Sequence, residues 1–214
     1  EAPLKEIAQQ IGLENVRCLL TDREGSLWFG TEFDGLFRLL PRRFVTLTRK
    51  DGLLHDFVSS ISEGPDGSIW LATKLGLDQF KQGRKFASHP GEIQGHPPDR
   101  RLVHVDRSGG VWTVKEPGIL LHLQAGRFVE APFRPESPGA RPLIRAFYED
   151  PEGRLWLGAD GELWFREKGQ WHLFPIPEPN RIKGIRAIHR DRHGDLWLGT
   201  VEDGCFHVSG GQLS

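Results

Sequence analysis

The sequence predicts an all-β fold, a β-propeller of five repeats that each form a four-stranded blade. A motif of the form Asp-x-x-Gly-x-x-Trp recurs along the chain, as in DREGSLW at 22–28 and DRHGDLW at 191–197. The tryptophans of the five copies are 41 to 44 residues apart, and a period of about 40–45 residues is typical of propeller blades. The chain also has 26 glycines and 15 prolines, which suits the many short turns of an all-β domain. The five tryptophans are Trp28, Trp70, Trp112, Trp156 and Trp197.

The Asp-x-x-Gly part of the motif predicts a tight turn between the first two strands of a blade. The aspartate can accept hydrogen bonds from backbone N–H groups ahead of it, and the glycine tolerates a positive φ. The second copy reads GPDGSIW and has Gly64 where the others have aspartate, so we expect its turn to be held differently. The turn pairs are Asp22 with Gly25, Asp106 with Gly109, Asp150 with Gly153, and Asp191 with Gly194.

Apolar segments around each turn predict four strands per repeat. In the first repeat VRCLLT and SLWFGT flank the turn, GLFRL follows, and FVTLT completes the unit. The tryptophan recurs at one strand position, so we expect all five to be core residues packed between blades rather than ligand contacts.

The repeats divide residues 1–214 into five blades of a single propeller domain. The fifth repeat lacks a fourth strand, and residues 3–8 resemble an outer strand without a blade of its own. We therefore expect the N-terminal strand to close the last blade. The alternative is an arc of a longer repeat array, and the absence of methionine indicates a piece of a longer protein. The predicted blades are 16–57, 58–99, 100–142, 143–184, and 185–214 with the outer strand 3–8.

Composition excludes several classes of function. The net charge is -1, so a nucleic-acid partner has no electrostatic support. No apolar run approaches the length of a membrane span, so we expect no membrane contact by this domain. The two cysteines, Cys18 and Cys205, lie in apolar runs without zinc-ligand spacing, and we expect buried thiols. The pattern predicts no metal and no cofactor.

The repeat unit VSSISEGPDGSIWLATKLGLDQF, with its companions DREGSLWFGT and DRHGDLWLGT, resembles the two-component regulator propeller repeat. The resemblance extends over nearly the whole chain, and the third repeat departs from it most, with Thr113 and Val114 where Gly-Thr is usual. It implies the extracytoplasmic sensor domain of a bacterial receptor, periplasmic in location. It also implies a small-molecule or carbohydrate ligand and a downstream histidine kinase or cyclase module on the same polypeptide. A homodimer is a further expected assembly.

Arginines recur at the start of the innermost strands, where a propeller ligand commonly binds. The second repeat has Ser59 at this position. Arginine offers five donors in a fixed geometry, so the column predicts a site for an anionic or carbohydrate ligand on the top face, together with acids of the turns between second and third strands. The alternative is that each arginine pairs with an acid of its own blade. The candidates are Arg17, Arg101, Arg145, Arg186, Glu32, Asp34, Asp160 and Asp203.

The sequence favours a non-catalytic protein and predicts no catalytic residue. A glycosidase needs its carboxylates once, whereas the turn aspartates recur in four repeats. Streptogramin-lyase-like propellers use a Glu and a His two residues apart, and this chain contains no such pair. A protein-interaction scaffold stays open as the alternative. A sensor should present a concave polar top face, and a scaffold a flat apolar patch.

Overall fold

The chain folds into five four-stranded antiparallel sheets arranged as the blades of a β-propeller, and the predicted fold class is confirmed. The computed structural model describes residues 16–40, 43–81, 84–90, 102–115, 118–133, 142–176, 182, 184–209 and 212–213. Its described part contains one helical turn, a 3-10 turn at Arg49–Asp51 in the linker between the first two blades.

Each blade runs from an inner to an outer strand in sequence order. Blade 1 contains β1 (Val16–Thr21), β2 (Leu27–Thr31), β3 (Leu36–Leu40) and β4 (Arg43–Leu47). Blade 2 contains β5 (Val58–Glu63), β6 (Ile69–Thr73), β7 (Gly76–Lys81) and β8 (Arg84–Pro90). Blade 3 contains β9 (Val103–Val105), β10 (Val111–Lys115), β11 (Ile119–Gln124) and β12 (Arg127–Glu130). Blade 4 contains β13 (Ala146–Glu149), β14 (Leu155–Gly158), β15 (Leu163–Glu167) and β16 (Gln170–Phe174). Blade 5 contains β17 (Ile185–Arg190), β18 (Leu196–Thr200), β19 (Cys205–Ser209) and β20 (Gln212–Leu213).

The fourth place in blade 5 is taken by β20, which pairs with the end of β19 through Val208 and Ser209. The sequence had given this place to residues 3–8, which lie outside the described residues. The expectation that the fifth repeat lacks a fourth strand is wrong, because β20 supplies it. A closing role for the N-terminal strand stays a prediction.

The core consists of apolar clusters between successive blades, and the repeated tryptophan packs forward onto the next blade. Trp28 of blade 1 packs with Val58 and Leu71 of blade 2. Trp156 of blade 4 packs with Leu198 and Phe206 of blade 5. Blades 2 and 3 and blades 3 and 4 are joined in the same way. Among the described residues, these four junctions hold a core cluster and the pairing of blade 5 with blade 1 does not.

The two terminal blades consequently expose side chains that the other blades bury. Trp197 is 40% exposed, whereas the other four motif tryptophans are 2–4% exposed. Leu19 of β1 is 64% exposed, whereas Val103 and Ile188 at the equivalent position are 4% and 7% exposed. Trp197 thus differs from the core residue that the repeat predicts, because no described blade covers it.

The cysteines differ from each other for the same reason. Cys18 packs at the junction of blades 1 and 2, and burial raises the pKa of its thiol to about 12. Cys205 is exposed, because it lies in the last blade. The prediction of a buried thiol is wrong for Cys205.

Candidate functional site

The top face of the propeller carries the turns between second and third strands and the linkers into the inner strands. Two of the predicted arginines lie here and bind acids of their own blades. The Arg17 guanidinium donates to Glu32. Arg145 donates to both carboxylate oxygens of Asp160, at 2.6 and 3.0 Å. These pairs balance the positive charge within each blade.

β-Bulges set the direction of this arginine column. The register of the first strand pair shifts between Val16 and Cys18, which makes Arg17 the extra residue. The same shift occurs around Ser59 and Arg186. A bulge changes the direction in which a side chain points at the edge of a sheet. The side chain at this position of the repeat therefore lies on the top face. The sequence pattern located the column but gave no signal for the bulge.

Three further predicted residues lie at the same end of the blades. Arg186 is exposed at the start of β17. The backbone N–H groups of Asp34 and Asp203 donate to Thr31 and Thr200 Oγ1, at 3.0 and 3.1 Å, which shapes their turns. Arg101 lies outside the described residues.

A groove of about 600 Å³ opens on the top face between blades 1 and 2. Phe33, at the tip of the β2–β3 turn, is 66% exposed. The opposite wall is the linker around the 3-10 turn, whose backbone is fixed by a capping box between Thr48 and Asp51 and by the Arg49 N–H donating to Asp56 at 2.6 Å. The lining residues are Phe33, Asp34, Thr48, Arg49, Lys50 and Asp56.

This groove combines an aromatic ring with charges of both signs. An exposed ring offers a face for stacking. Arg49 and Lys50 can bind carboxylate or hydroxyl oxygens, and Asp34 can accept from hydroxyls. Of these residues the sequence had singled out Asp34 alone. A phenylalanine between two acids in the segment EFD at 32–34 was the signal that could have found the rest.

The motif aspartates lie at the opposite ends of the blades, where each carboxylate has at least two hydrogen-bond partners. One oxygen of Asp22 accepts from the Ser26 N–H and the other from the Trp28 indole N–H, both at 2.7 Å. The same indole bond measures 2.7, 2.9 and 3.0 Å in blades 3, 4 and 5. The turn glycines have positive φ, 79° at Gly25 and 92° at Gly194. These residues build the turns and hold the tryptophans.

Hydrogen bonds to these carboxylates stabilise their charged forms. Burial acts to raise the pKa of Asp22, but the bonds from Trp28 and Ser26 outweigh it and lower the pKa. The bond from Trp197 is the main cause that lowers the pKa of Asp191 to about 2. In blade 2, where Gly64 replaces the motif aspartate, Asp66 accepts from the Ser68 N–H at 3.0 Å. Its pKa is lowered to about 2, chiefly by the Ser68 hydroxyl.

Two further polar features lie on the lower side of the propeller, which is the end of the blades that carries the motif aspartates. A groove of about 400 Å³ between blades 3 and 4 is lined by Asp106, Arg107, Glu149 and Arg166, among others, and burial raises the pKa of Glu149. Asp191, Asp195 and His207 bring one possible metal-ligand atom each within 4.8 Å of one another. Asp191 accepts from the Trp197 indole, and Asp195 pairs with His207 at 3.2 Å.

The family model of the two component regulator propeller matches the chain at residues 10–33, 52–74 and 141–161. A search of curated protein sequences finds no match. No helix in the described part of the chain is long and apolar enough to cross a membrane.

Solved structures with the same fold include an enzyme and two receptor domains. A catalytically inactive virginiamycin B lyase from Staphylococcus aureus, with quinupristin, superposes with a TM-score of 0.71 at 17% identity, over 93% of this chain and 68% of the lyase. The extracellular domain of a hybrid two component system from B. thetaiotaomicron gives 0.62 at 19% identity, over 94% and 33%. A second such domain gives 0.52 at 15% identity, over 92% and 34%. This chain therefore spans about a third of the length of the two-component relatives.

Proposed function

We propose that this chain, which carries two-component regulator propeller repeats, is the ligand-sensing part of a bacterial signalling receptor. It would lie on the extracytoplasmic side, with a kinase or cyclase module on the same polypeptide. The observation that carries the proposal is the open top-face groove between blades 1 and 2, which is lined by charges of both signs and has one exposed aromatic ring.

The groove favours a small carbohydrate or a related carboxylic acid as ligand. A pyranose ring presents C–H groups that can pack on Phe33, and its hydroxyls can reach Asp34. Arg49 and Lys50 are both exposed, so a uronic acid would gain a charge-assisted contact that a neutral sugar lacks. The proposal therefore ranks acidic oligosaccharides above neutral ones.

Several observations support a non-catalytic role. The aspartates that recur are engaged in turns on the lower side, away from the groove. The likeness to virginiamycin B lyase is at 17% identity, which shows the fold alone, and the chain has no Glu-x-His or His-x-Glu pair. A scaffold that docks a partner protein is the competing function, and a groove lined by four charged side chains favours a polar small molecule over it.

A thermal-shift screen tests the proposal. The 214-residue chain is heated with neutral oligosaccharides, with uronic-acid oligosaccharides and with small carboxylates. A ligand at a hundred times its Kd adds about 2.7 kcal/mol to the free energy of unfolding, which is a clear shift of the melting temperature. We expect a stabilising acidic saccharide whose effect is lost in Phe33→Ala and in Arg49→Ala.

Arg127→Ala is the matched control, because Arg127 is an exposed arginine at the β11–β12 turn of blade 3. The control should keep the full shift. A hit that survives both groove variants would move the site elsewhere. A folded chain that is stabilised by none of the compounds would favour the scaffold.

A further inference from the structure

Blade 5 presents to solvent the face that every earlier blade buries against its successor. Trp197 lies on this face, stacked on His207 with ring centroids 4.4 Å apart, and is 40% exposed. The motif therefore supplies one half of a blade junction here, and the other half is missing from the described part of the chain.

At two junctions, between blades 1 and 2 and between blades 3 and 4, a pair of hydrogen bonds accompanies the apolar contacts. We call this pair of bonds the latch. The Arg23 backbone N–H of blade 1 donates to Glu63 of blade 2 at 3.4 Å, and its guanidinium donates to the Pro65 carbonyl at 3.0 Å. Arg107 of blade 3 makes the same two bonds to blade 4. Its acceptors are Glu149 at 2.9 Å and the Pro151 carbonyl at 2.7 Å. The blade that donates both bonds, the donor blade, has an arginine directly after its turn aspartate. The blade that accepts them, the acceptor blade, has the sequence Glu-x-Pro at its first turn.

Blade 5 is a donor blade with no acceptor among the residues that the structure describes. Arg192 occupies the position of Arg23 and Arg107 in the motif, is exposed, and has no hydrogen bond or ion pair to any residue that the structure describes. Blade 1 is not a matched acceptor, because it has Thr21 and Arg23 where the acceptor blades have Glu and Pro.

We propose that the exposed face of blade 5, defined by Arg192 and Trp197, binds a further blade of the same repeat type whose first turn reads Glu-x-Pro. The interface continues the junctions already present inside the chain, with Trp197 packed on the apolar strands of the incoming blade and Arg192 latched to its Glu and to its Pro carbonyl. This inference concerns assembly and is independent of the ligand.

A second copy of this chain is a poorer occupant than a further blade. Its two Glu-x-Pro turns, at 63–65 and 149–151, already accept from Arg23 and Arg107. The fold comparison agrees with an added blade. The part of the lyase that this chain leaves unmatched is 32% of its length, which is about two further repeats of about 40 residues.

An extended chain tests the proposal. Gln212 pairs with Ser209 as Arg127 pairs with Gln124, so a copy of residues 130–176 placed after Ser214 continues the outer strand in register and adds a blade with Glu149 and Pro151. We expect a higher melting temperature than that of the 214-residue chain. We also expect weaker acrylamide quenching of the Trp197 emission, obtained as the difference between each chain and its Trp197→Phe variant. Arg192→Ala should lower the melting temperature of the extended chain by several degrees and leave the shorter chain unchanged.

Two controls keep the result specific. The same extension with Glu149→Thr in the copy removes the carboxylate that would accept from the Arg192 backbone N–H, and its melting temperature should lie below that of the first extension. A second extension, a copy of residues 46–90 with Glu63 and Pro65, repeats the test if the first fails to fold.

Three outcomes would overturn the proposal. One is failure of both extensions to protect Trp197. Another is an equal effect of Arg192→Ala in long and short chains. The third is self-association of the 214-residue chain, seen by sedimentation and abolished by Trp197→Ser, because the face would then belong to a second copy.

Discussion

The indole N–H of Trp156 donates to Oδ2 of Asp150 at 2.9 Å, and both side chains are buried, with 4% and 0% of their surface exposed. The first and last residues of the Asp-x-x-Gly-x-x-Trp motif are therefore direct partners. This bond joins the turn to the inter-blade core, since the tryptophan that the aspartate holds is the residue that packs on the next blade.

Replacing the motif aspartate should cost most where its tryptophan is buried. Asp150→Ala leaves the Trp156 N–H without an acceptor and also removes the acceptor of the Arg154 N–H. We expect a loss of about 2–4 kcal/mol in the free energy of unfolding, measured by urea denaturation. Asp191→Ala is the control. Its effect should be clearly smaller, because water can reach the indole of Trp197. Equal losses in the two variants would contradict the role given to this bond.

The glycine two residues after the motif tryptophan should resist substitution where the next blade already lies close against it. A Cβ on Gly158 would lie 2.6 Å from Ile185 Cγ2 of blade 5. Gly158→Ala should therefore destabilise the protein by about 1–3 kcal/mol through overpacking. Gly199 is the equivalent residue of blade 5, and the nearest atom to its added Cβ is the Ala187 Cβ of its own blade at 3.3 Å. Gly199→Ala should be nearly neutral in chemical denaturation, and a large loss there would show that blade 5 has a covering neighbour.

His104 should make the stability of the protein depend on pH between about 4 and 6.5. Burial lowers the pKa of its imidazole from 6.5 to about 4, and no partner for its Nε2 lies in the described structure. Between these values the unfolded chain binds a proton that the folded chain does not. The stabilisation is therefore present above pH 6.5 and is lost as the pH falls to 4, by up to roughly 3 kcal/mol.

His104→Phe isolates this contribution, because a phenyl ring keeps the stacking on Phe147 without a titrating group. Urea unfolding of both proteins from pH 4 to 7.5 should give a shallower pH dependence for the variant. Parallel curves would contradict the assignment.

Asp66 should contribute to stability in a lower pH window. Its folded-state pKa is about 2, against an ordinary value of 3.8. A depressed carboxyl pKa stabilises the fold above the ordinary value and ceases to do so as the pH falls through the folded-state value. Asp66→Asn should therefore reduce the loss of stability between pH 4 and 2, measured by thermal unfolding. If the melting temperature of the variant falls between pH 4 and 2 as steeply as that of the unchanged protein, Asp66 does not hold the turn of blade 2.

The sequence predicted the five blades because the tryptophan and the turn glycine obey local rules in every repeat. It did not predict the Asp150–Trp156 bond, since a six-residue separation carries no geometry until the hairpin forms. It missed Asp66 as the substitute for the aspartate absent at Gly64, although that carboxylate lies two residues away. A repeat pattern also could not predict the exposure of Trp197 and Cys205. The same motif occurs in buried and exposed blades, and only the packing of a neighbouring blade distinguishes them.

The candidate site was likewise predicted from the sequence only in part. Column alignment found Arg17 and Arg145, and the structure places each beside an acid of its own blade. The groove of Phe33 and Arg49 arises where a turn of blade 1 faces a linker to blade 2, and such a meeting depends on tertiary packing.

The most direct test of ligand sensing at this groove is a two-dimensional ¹H–¹⁵N NMR titration of the 214-residue chain with the acidic oligosaccharide that gives the largest thermal shift. We predict saturable shift changes confined to residues 33–34 and 48–56 and abolished by Arg49→Ala. Shifts centred on Arg145 and Asp160, or scattered over the lower side, would contradict the assignment of the groove as the ligand site.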